Sequence, residues 1–440
     1  MGKNVRVNVE YLTRVEGHGN IIVNVKAGKL EECRLDIVES PRFFEGMLLG
    51  RSIFEAQHIT SRICGICACG HTLASIQAAE DAIGFIPSAQ TIELRRLLLH
   101  LENLDSHLLH IYLLVAPDLL GVKSFLPLID THNQVVRRAL RMKKLCNDVC
   151  DILVGRHIHP ISSIVGGFTK LPREQDLDVM LDILKSMRAD MDETVALAAT
   201  LKFPEFTRET EYIALVNDND EYPMLRGDVG STDGLRMDKH DYRKITNEFV
   251  VPHSSAKHAK ASRESYMVGA LARVNLNYDK LHPKAKKVAE AIGLKPICYN
   301  SFLNTAAQLV ECVHSLEDSI AILENCKTKG INYDEAVVVG LNEKGTIPVK
   351  AGNGVGAVEV PRGLLFHNYE VDDKGKIVNA NCIIPTGQNL NNIENDMKKL
   401  VPEVLDKQDD EITLLMEMLV RAYDPCISCS AHFLNVTYKH

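Results

Sequence analysis

At 440 residues with 45% hydrophobic side chains, the chain can bury a large core and has the length of two or three domains. Its 50 basic and 58 acidic residues leave a formal charge of −8, and no basic run exceeds the Arg141-Met142-Lys143-Lys144 cluster, which argues against a nucleic-acid partner. No apolar run approaches the roughly 20 residues of a membrane helix, Leu108–Val115 being broken by His110, and no charged-then-apolar leader is present, so a cytoplasmic chain without a membrane span is expected.

Residues 5–38 alternate with period two: Val5, Val7 and Val9, then Ile21, Val23 and Val25, then Cys33, Leu35 and Ile37. Ala27-Gly28-Lys29 joins the last two runs as a hairpin, so a small antiparallel sheet is predicted, with Glu16 and His18 in the connection between its first strands. From residue 72 the period becomes helical. Pro87 ends one helix, Ser88 or Thr91 can cap the next, and Leu94, Leu97, Leu98, Leu101, Leu104, Leu108 and Ile111 form an apolar stripe suited to a buried bundle helix. Asp105 falls on that stripe, so it is expected to be buried with a partner.

Further helices are predicted over about 133–154, 174–202, 259–291, 302–328 and 391–423. Segments 203–250 and 329–390 are richer in Gly, Asn and Asp and read as loops with short strands. The final helix stops at Pro425, which should deliver Cys426 and Cys429 into the core on a turn. Without repeats, low-complexity tracts or linkers, residues 1–440 read as one mainly α (α+β) domain, a large helical bundle body with small antiparallel sheets. Its parts are an N-terminal sheet region (1–60), a first helical part (61–202), a mixed helical and loop region (203–390), a C-terminal helix (391–432) and a tail (433–440).

Twelve cysteines would suggest disulfides in a short secreted chain, but a chain of this size needs no such staples. Cys33, Cys69, Cys146, Cys150, Cys298, Cys312, Cys326 and Cys382 read as buried thiols in a reducing cell. The other four form two Cys-x-x-Cys pairs at opposite ends of the chain, Cys64 with Cys67 and Cys426 with Cys429. A zinc knuckle keeps its ligands within a few dozen residues; a site closed from both ends of a large domain suits a buried redox or catalytic metal. Four thiolates favour zinc, iron, nickel or copper(I) and exclude magnesium or calcium at that position.

The stretches Arg62-Ile63-Cys64-Gly65-Ile66-Cys67 with His71, and Asp424-Pro425-Cys426-Ile427-Ser428-Cys429 with His432, resemble the signature pair of nickel–iron hydrogenase large subunits. Thr13–His18, Gly155–Pro160, Val360-Pro361-Arg362-Gly363 and Pro385–Asn389 fit the same family in the same order, so the resemblance covers nearly the whole chain. It implies the fold shared with the quinone-site subunit of respiratory complex I. It also implies nickel on Cys64, Cys67, Cys426 and Cys429, with Cys67 and Cys429 bridging to an iron that carries two cyanides and one carbon monoxide.

Further roles follow from the resemblance. Glu16 would relay protons from Cys426. Arg362, after Pro361, would stand over the open metal position, paired with Asp424. Pro385 and Thr386 would contact the cyanides, and His71 would support a bridging sulfur. Glu45 and His432 would hold a structural magnesium or another divalent cation. From its own segment Glu16 reads equally as a carboxylate satisfied by Arg14. His157 and His159 look ligand-like, but structural roles are expected. Where many relatives carry an aspartate before a helix histidine, this chain has Ser106, with Asp105 one residue earlier. In many relatives the bond corresponding to His432-Phe433 is cut after nickel loading; here the short tail, apolar at Phe433, Leu434 and Val436, is expected to be retained.

The resemblance implies reversible oxidation of dihydrogen. No remaining cysteines form a ferredoxin pattern, so iron–sulfur clusters belong only to partner chains: a hydrogenase small subunit, with an NAD(P)/flavin, ferredoxin, deazaflavin or heterodisulfide reductase module beyond it. Rival readings are a regulatory hydrogen sensor on the same scaffold, a zinc-clamped interaction protein, and the complex I subunit itself, which lacks the four cysteines.

Overall fold

The computed structural model describes residues 3–337 and 347–431. The alternating N-terminal runs form β1 (Val5–Val9), β2 (Gly19–Lys26) and β3 (Lys29–Ile37), an antiparallel sheet in which Val7 faces Val23 and Ile21 faces Leu35. Its apolar face is buried, while the β1–β2 connection runs out to the C-terminal segment. There Glu16 N donates to Pro425 O (3.3 Å) and Ile427 N to Glu16 O (2.9 Å). Gly17 permits this approach: its φ is +83°, and a Cβ would lie 2.7 Å from Ser428 N.

The helical body contains α1 (Phe44–Leu48), α2 (Ala68–Ile83), α3 (Ala89–Leu109), α4 (Asn133–Val154), α5 (Ala270–Asn277), α6 (Asn304–Lys329), α7 (Pro385–Glu403) and α8 (Asp409–Ala422). Ser88 is the cap of α3, its hydroxyl accepting from Thr91 N. The predicted stripe is buried from Leu94 to Leu108, and the helix continues as a π-helical turn over His110–Val115, in which Ile111 is half-buried. Among the described residues no helix is long and apolar enough to cross a membrane.

Three expectations need correction. The stretch 174–202 is two helices, Glu174–Ser186 and Arg188–Ala198. The predicted helix over 259–291 begins instead as strand: Tyr266–Met267 pairs in parallel with Glu211–Tyr212, and helix resumes only at α5 and again at Pro283–Ala291. Pro283 has no N–H to continue the preceding turn, but fits the first position of a new helix. The predicted helix over 391–423 is α7 and α8, α7 starting earlier at Pro385.

The segment 329–390 holds more than short strands. A hairpin of β4 (Asn247–Phe249) and β5 (His258–Lys260) precedes the three-stranded antiparallel sheet of β6 (Gly352–Val360), β7 (Gly363–Val371) and β8 (Ile377–Ile383). β6 is the edge strand against α2. Ala74, Ala78 and Ala82 recur every fourth residue on one helix face, about 6 Å apart, and Gly352, Gly354 and Gly356 every second residue of the strand, about 6.6 Å apart. The two spacings match, so the backbones nearly touch; Cβ atoms there would lie 2.0–2.2 Å from Ala74 O, Ala78 O and Ala82 O. The edge donors are met from the helix as well, with Val355 N donating to Asp81 Oδ2 (2.8 Å) and Ala357 N to Gln77 Oε1 (2.6 Å). This ladder fixes the helix that begins immediately after Cys67.

Candidate metal centre

Each cysteine pair lies where a helix changes direction. After a helical turn at Ser61–Ile63, Cys64 is extended, and the N–H groups of Ile66 (3.3 Å) and Cys67 (3.1 Å) point at its Sγ. At the other end α8 stops, Asp424 takes a left-handed φ of 52°, and Cys426 follows Pro425. Cys426 enters on a turn, as expected, but Cys429 lies in a single helical turn, Ile427–Ser430. Cys64 Sγ is then 3.5 Å from Cys426 Sγ, and Cys426 Sγ is 2.6 Å from Cys429 Sγ. Arg362 Nη1 reaches Cys67 Sγ at 3.1 Å. All four thiols are buried, and all twelve cysteines are free.

Hydrogen bonds from Cys426, Cys429 and Cys67 pull Cys64 well down towards thiolate. Contact with neighbouring sulfurs and burial push Cys67 and Cys426 well up, and burial does the same to Cys429. Four crowded, buried sulfurs ionise together only if a cation lies among them. Metal–sulfur bonds of about 2.3 Å place tetrahedral sulfurs about 3.8 Å apart, close to the 3.5 Å Cys64–Cys426 spacing, whereas Cys426 and Cys429, at 2.6 Å, must spread to admit a metal. A sulfur-only donor set suits a soft or borderline transition metal. The residues present therefore fit a nickel–iron centre.

Glu16 is half-buried beside this cluster. Its Oε2 accepts from Cys426 Sγ (3.2 Å) and Ser428 N (3.1 Å), and its Oε1 from the Ser428 hydroxyl. Arg14 does not satisfy it: that guanidinium binds Asp118 and Leu114 O, and Asp118 also takes Arg421. Glu16 thus links a buried sulfur to the protein's outside.

Arg362 sits in the β6–β7 turn, whose carbonyls at Val360 and Pro361 accept from the buried Arg273 (2.8 and 3.1 Å). Its Nε donates to Asp424 O (2.7 Å) and Nη2 to Asp424 Oδ1 (2.8 Å). Burial pulls Arg362 down, but Asp424 and the sulfurs outweigh it and hold the guanidinium well above its ordinary value. Ser106 Oγ lies 3.5 Å from Arg362 Nη1. Asp105 is half-buried, not buried, and its partner is Lys143 (2.7 Å). Thr386, in the first turn of α7 after Pro385, accepts from Cys426 N (2.9 Å), leaving its hydroxyl hydrogen available to a ligand.

His71 is buried on α2, its Nδ1 3.1 Å from His367 Nε2. His157 is held by Asp151, and His159 Nδ1 by Ser61 O. Glu45 Oε1 accepts from Cys382 N (2.8 Å) and lines a small cavity with Glu248, Lys257 and Ser430. His432 and the tail 433–440 lie outside the described residues.

Three groups escaped the sequence reading. Glu102 accepts from Cys69 N (2.7 Å) and Gly70 N (3.0 Å), fixing the first turn after Cys67, and burial pushes its carboxyl up to about 8. Gln308 donates to Asp424 Oδ2 (3.0 Å), and His110 braces Gln308 (2.5 Å). No local pattern marks Glu102, Gln308 or His110, because Glu102 falls beside the leucine stripe of α3 and not on it.

The family model for nickel-dependent hydrogenases matches residues 42–135 and 236–432, and a HoxL-like model matches 6–40. The chain is 34% identical to the alpha chain of sulfhydrogenase 1 from Pyrococcus furiosus over 98% of each chain. It is 32% identical to a chain of the vhu F420-non-reducing hydrogenase from Methanococcus voltae, over 93% of this chain and 100% of that one. A solved NAD+-reducing [NiFe]-hydrogenase in its H2-reduced state superposes with a TM-score of 0.82 at 26% identity, covering 97% of this chain and 99% of that one. A helical body that brings Cys64, Cys426 and Cys429 within 4.8 Å of one another between its two ends, with the buried Cys67 beside them, has the hydrogenase large-subunit fold. The chain belongs to the nickel-dependent hydrogenase family, as the catalytic subunit of a nickel–iron hydrogenase, an oxidoreductase acting on dihydrogen.

Proposed function

We propose that Cys64, Cys67, Cys426 and Cys429 hold the nickel, with Cys67 and Cys429 shared with an iron carrying two cyanides and one carbon monoxide, and that dihydrogen is oxidised reversibly there. When bound, that centre supplies a Lewis-acidic metal pair with a position open to dihydrogen. The observation carrying this reading is the convergence of four buried thiols on one charged guanidinium and one carboxylate.

Glu16 takes the proton from Cys426 Sγ, which already points at its Oε2, and passes it outward from its half-buried position. Arg362, fixed by Asp424, presents a donor that never surrenders its own proton. Pro361 sets the turn that aims it; Thr386 and Pro385 would contact the cyanides, the threonine offering its hydroxyl hydrogen, and His71 would support a bridging sulfur by hydrogen bonding. Glu45 and His432 would hold magnesium or another divalent cation; the cavity beside Glu45 also contains the carboxylate of Glu248, paired there with Lys257 (3.0 Å).

Electrons leave through an iron–sulfur small subunit. They pass to a soluble acceptor through an NAD(P)/flavin, ferredoxin, deazaflavin or heterodisulfide reductase module, in the cytoplasm. Of these couplings, the NAD-reducing relative favours the NAD(P) module, and the F420-non-reducing relative speaks against the deazaflavin one. Metal analysis of the purified complex tests the ligand set. Cys64→Ala should lose nickel and hydrogen turnover together, whereas a variant retaining both would remove Cys64 from the site.

A further inference from the structure

A second cluster of metal-ligating side chains lies outside the cysteine centre. His253 precedes β5, His258 opens it, and Glu394 is midway along α7; one ligand atom from each lies within 4.8 Å of the others. His253 Nε2 is 2.7 Å from Glu394 Oε1, which also accepts from Leu35 N (3.1 Å). His258 is only 1% exposed, wedged edge-on between the rings of Phe249 and His253, and neither of its ring nitrogens has a hydrogen-bond partner among the described residues. Burying an imidazole with both nitrogens unmet is costly unless something binds there. Burial pushes its pKa down to about 4, so at neutral pH it is uncharged and offers a lone pair. Glu394 Oε2 faces Lys398 Nζ at 3.6 Å, an exposed surface cation that can swing away.

We propose that His253, His258 and Glu394 bind a divalent transition ion of the zinc class, distinct from the ions of the cysteine centre. Two imidazoles and one carboxylate are a zinc donor set, with water completing the shell, and the nitrogen donors disfavour magnesium and calcium. His253, 23% exposed, lies on the solvent path to the site. A similar cluster, His100, His314 and Asp318, does not qualify. There His314 Nδ1 accepts from His282 N, so its proton is on Nε2 and no second lone pair remains; Arg96 and His100 already hold Asp318.

The site joins three pieces that hold the catalytic segment. Ile37 N donates to His253 O, Ser255 N donates to Ile37 O, and Ala256 pairs with Ala431, two residues beyond Cys429. A cation at the site fastens β3, α7 and this loop together, so its role is structural.

The test is zinc uptake by the native complex, stripped of loosely bound metal with a chelator and then titrated with zinc ion alone, nickel content serving as the control for folding. Wild type should gain one zinc equivalent that His258→Phe and His253→Ala both lose while retaining nickel, and Lys398→Met should bind zinc more tightly by removing the competing ammonium. His253→Ala, at the partly exposed position, decides the matter if His258→Phe fails to fold. Absence of zinc uptake in wild type, or equal uptake in the variants, would overturn the proposal.

Discussion

Glu16 connects two environments: one carboxylate oxygen faces the buried Cys426 sulfur, while the group as a whole reaches the half-buried edge of the protein. Glutamine is nearly isosteric but accepts no proton. Glu16→Gln should therefore keep its nickel and lose about 10²- to 10⁴-fold in turnover, the span of general acid–base catalysis. Hydrogen–deuterium exchange at the wild-type rate would send the relay elsewhere. Glu102 makes a different prediction. Burial raises its carboxyl from 4.5 to about 8, so between those values the folded state binds more protons than the unfolded state. Stability from this group is therefore greatest at the acid end of that window, falls as pH rises through it, and levels off above about 8. Thermal midpoints measured across the window should drop for wild type relative to Glu102→Gln, which keeps an acceptor for Cys69 N and Gly70 N but cannot ionise. Parallel profiles for the two proteins would show that Glu102 is not the titrating group.

At the scale of elements, the contact of α2 with β6 positions the N-terminal cysteine pair. Apolar alternation does not announce β6, because its three glycines leave no side chains on the face that meets the helix. For the same reason the segment reads as loop, although it is a nine-residue strand. A methyl at Gly356 would lie 2.0 Å from Ala74 O, with the backbone on both sides unable to yield. Gly356→Ala should cost at least about 1–3 kcal/mol, the usual range for overpacking, and tilt α2 away from Cys67. A lowered thermal midpoint with reduced nickel content is the expected pair of observations. Unchanged nickel in a destabilised variant would separate the ladder from the metal centre. The split of the 259–291 stretch has a related origin: strand pairing with Glu211–Tyr212 and the proline start at Pro283 override a helical pattern that is locally acceptable. The 391–423 stretch divides just after Pro402, and the helix restarts at the Gln408 capping box of α8.

At the scale of the whole molecule, an exposed apolar face remains beside the metal centre. Phe43, Met47 and Leu49 are each 51% exposed around α1, with Val38 before them and Val378 on the neighbouring β8. Gly50 N donates to Ile377 O, which keeps these segments together. Exposed apolar side chains gathered in this way suit a partner surface, and the occupant predicted for it is the iron–sulfur small subunit of the proposed function. Phe43→Asp with Met47→Asp should leave the isolated chain folded but prevent the small subunit from co-purifying with it. Normal co-purification would place the interface on another face.

The sequence by itself determined the family and offered the candidate groups: two cysteine pairs, the arginine after Pro361 and the acidic residue of the β1–β2 connection. These groups are recognisable because thiolate ligation and proton transfer demand particular residue types at fixed short spacings. Tertiary structure alone decided which partner each group takes. Arg14 is next but one to Glu16 in sequence, yet it turns to Asp118, and Asp424 is braced by Gln308 from another helix. It also decided that Asp105 faces Lys143 while Ser106 faces Arg362. Helical phase divides these two neighbours between faces of α3, and only the packing of α4 and the β6–β7 turn against those faces reveals which one meets the site.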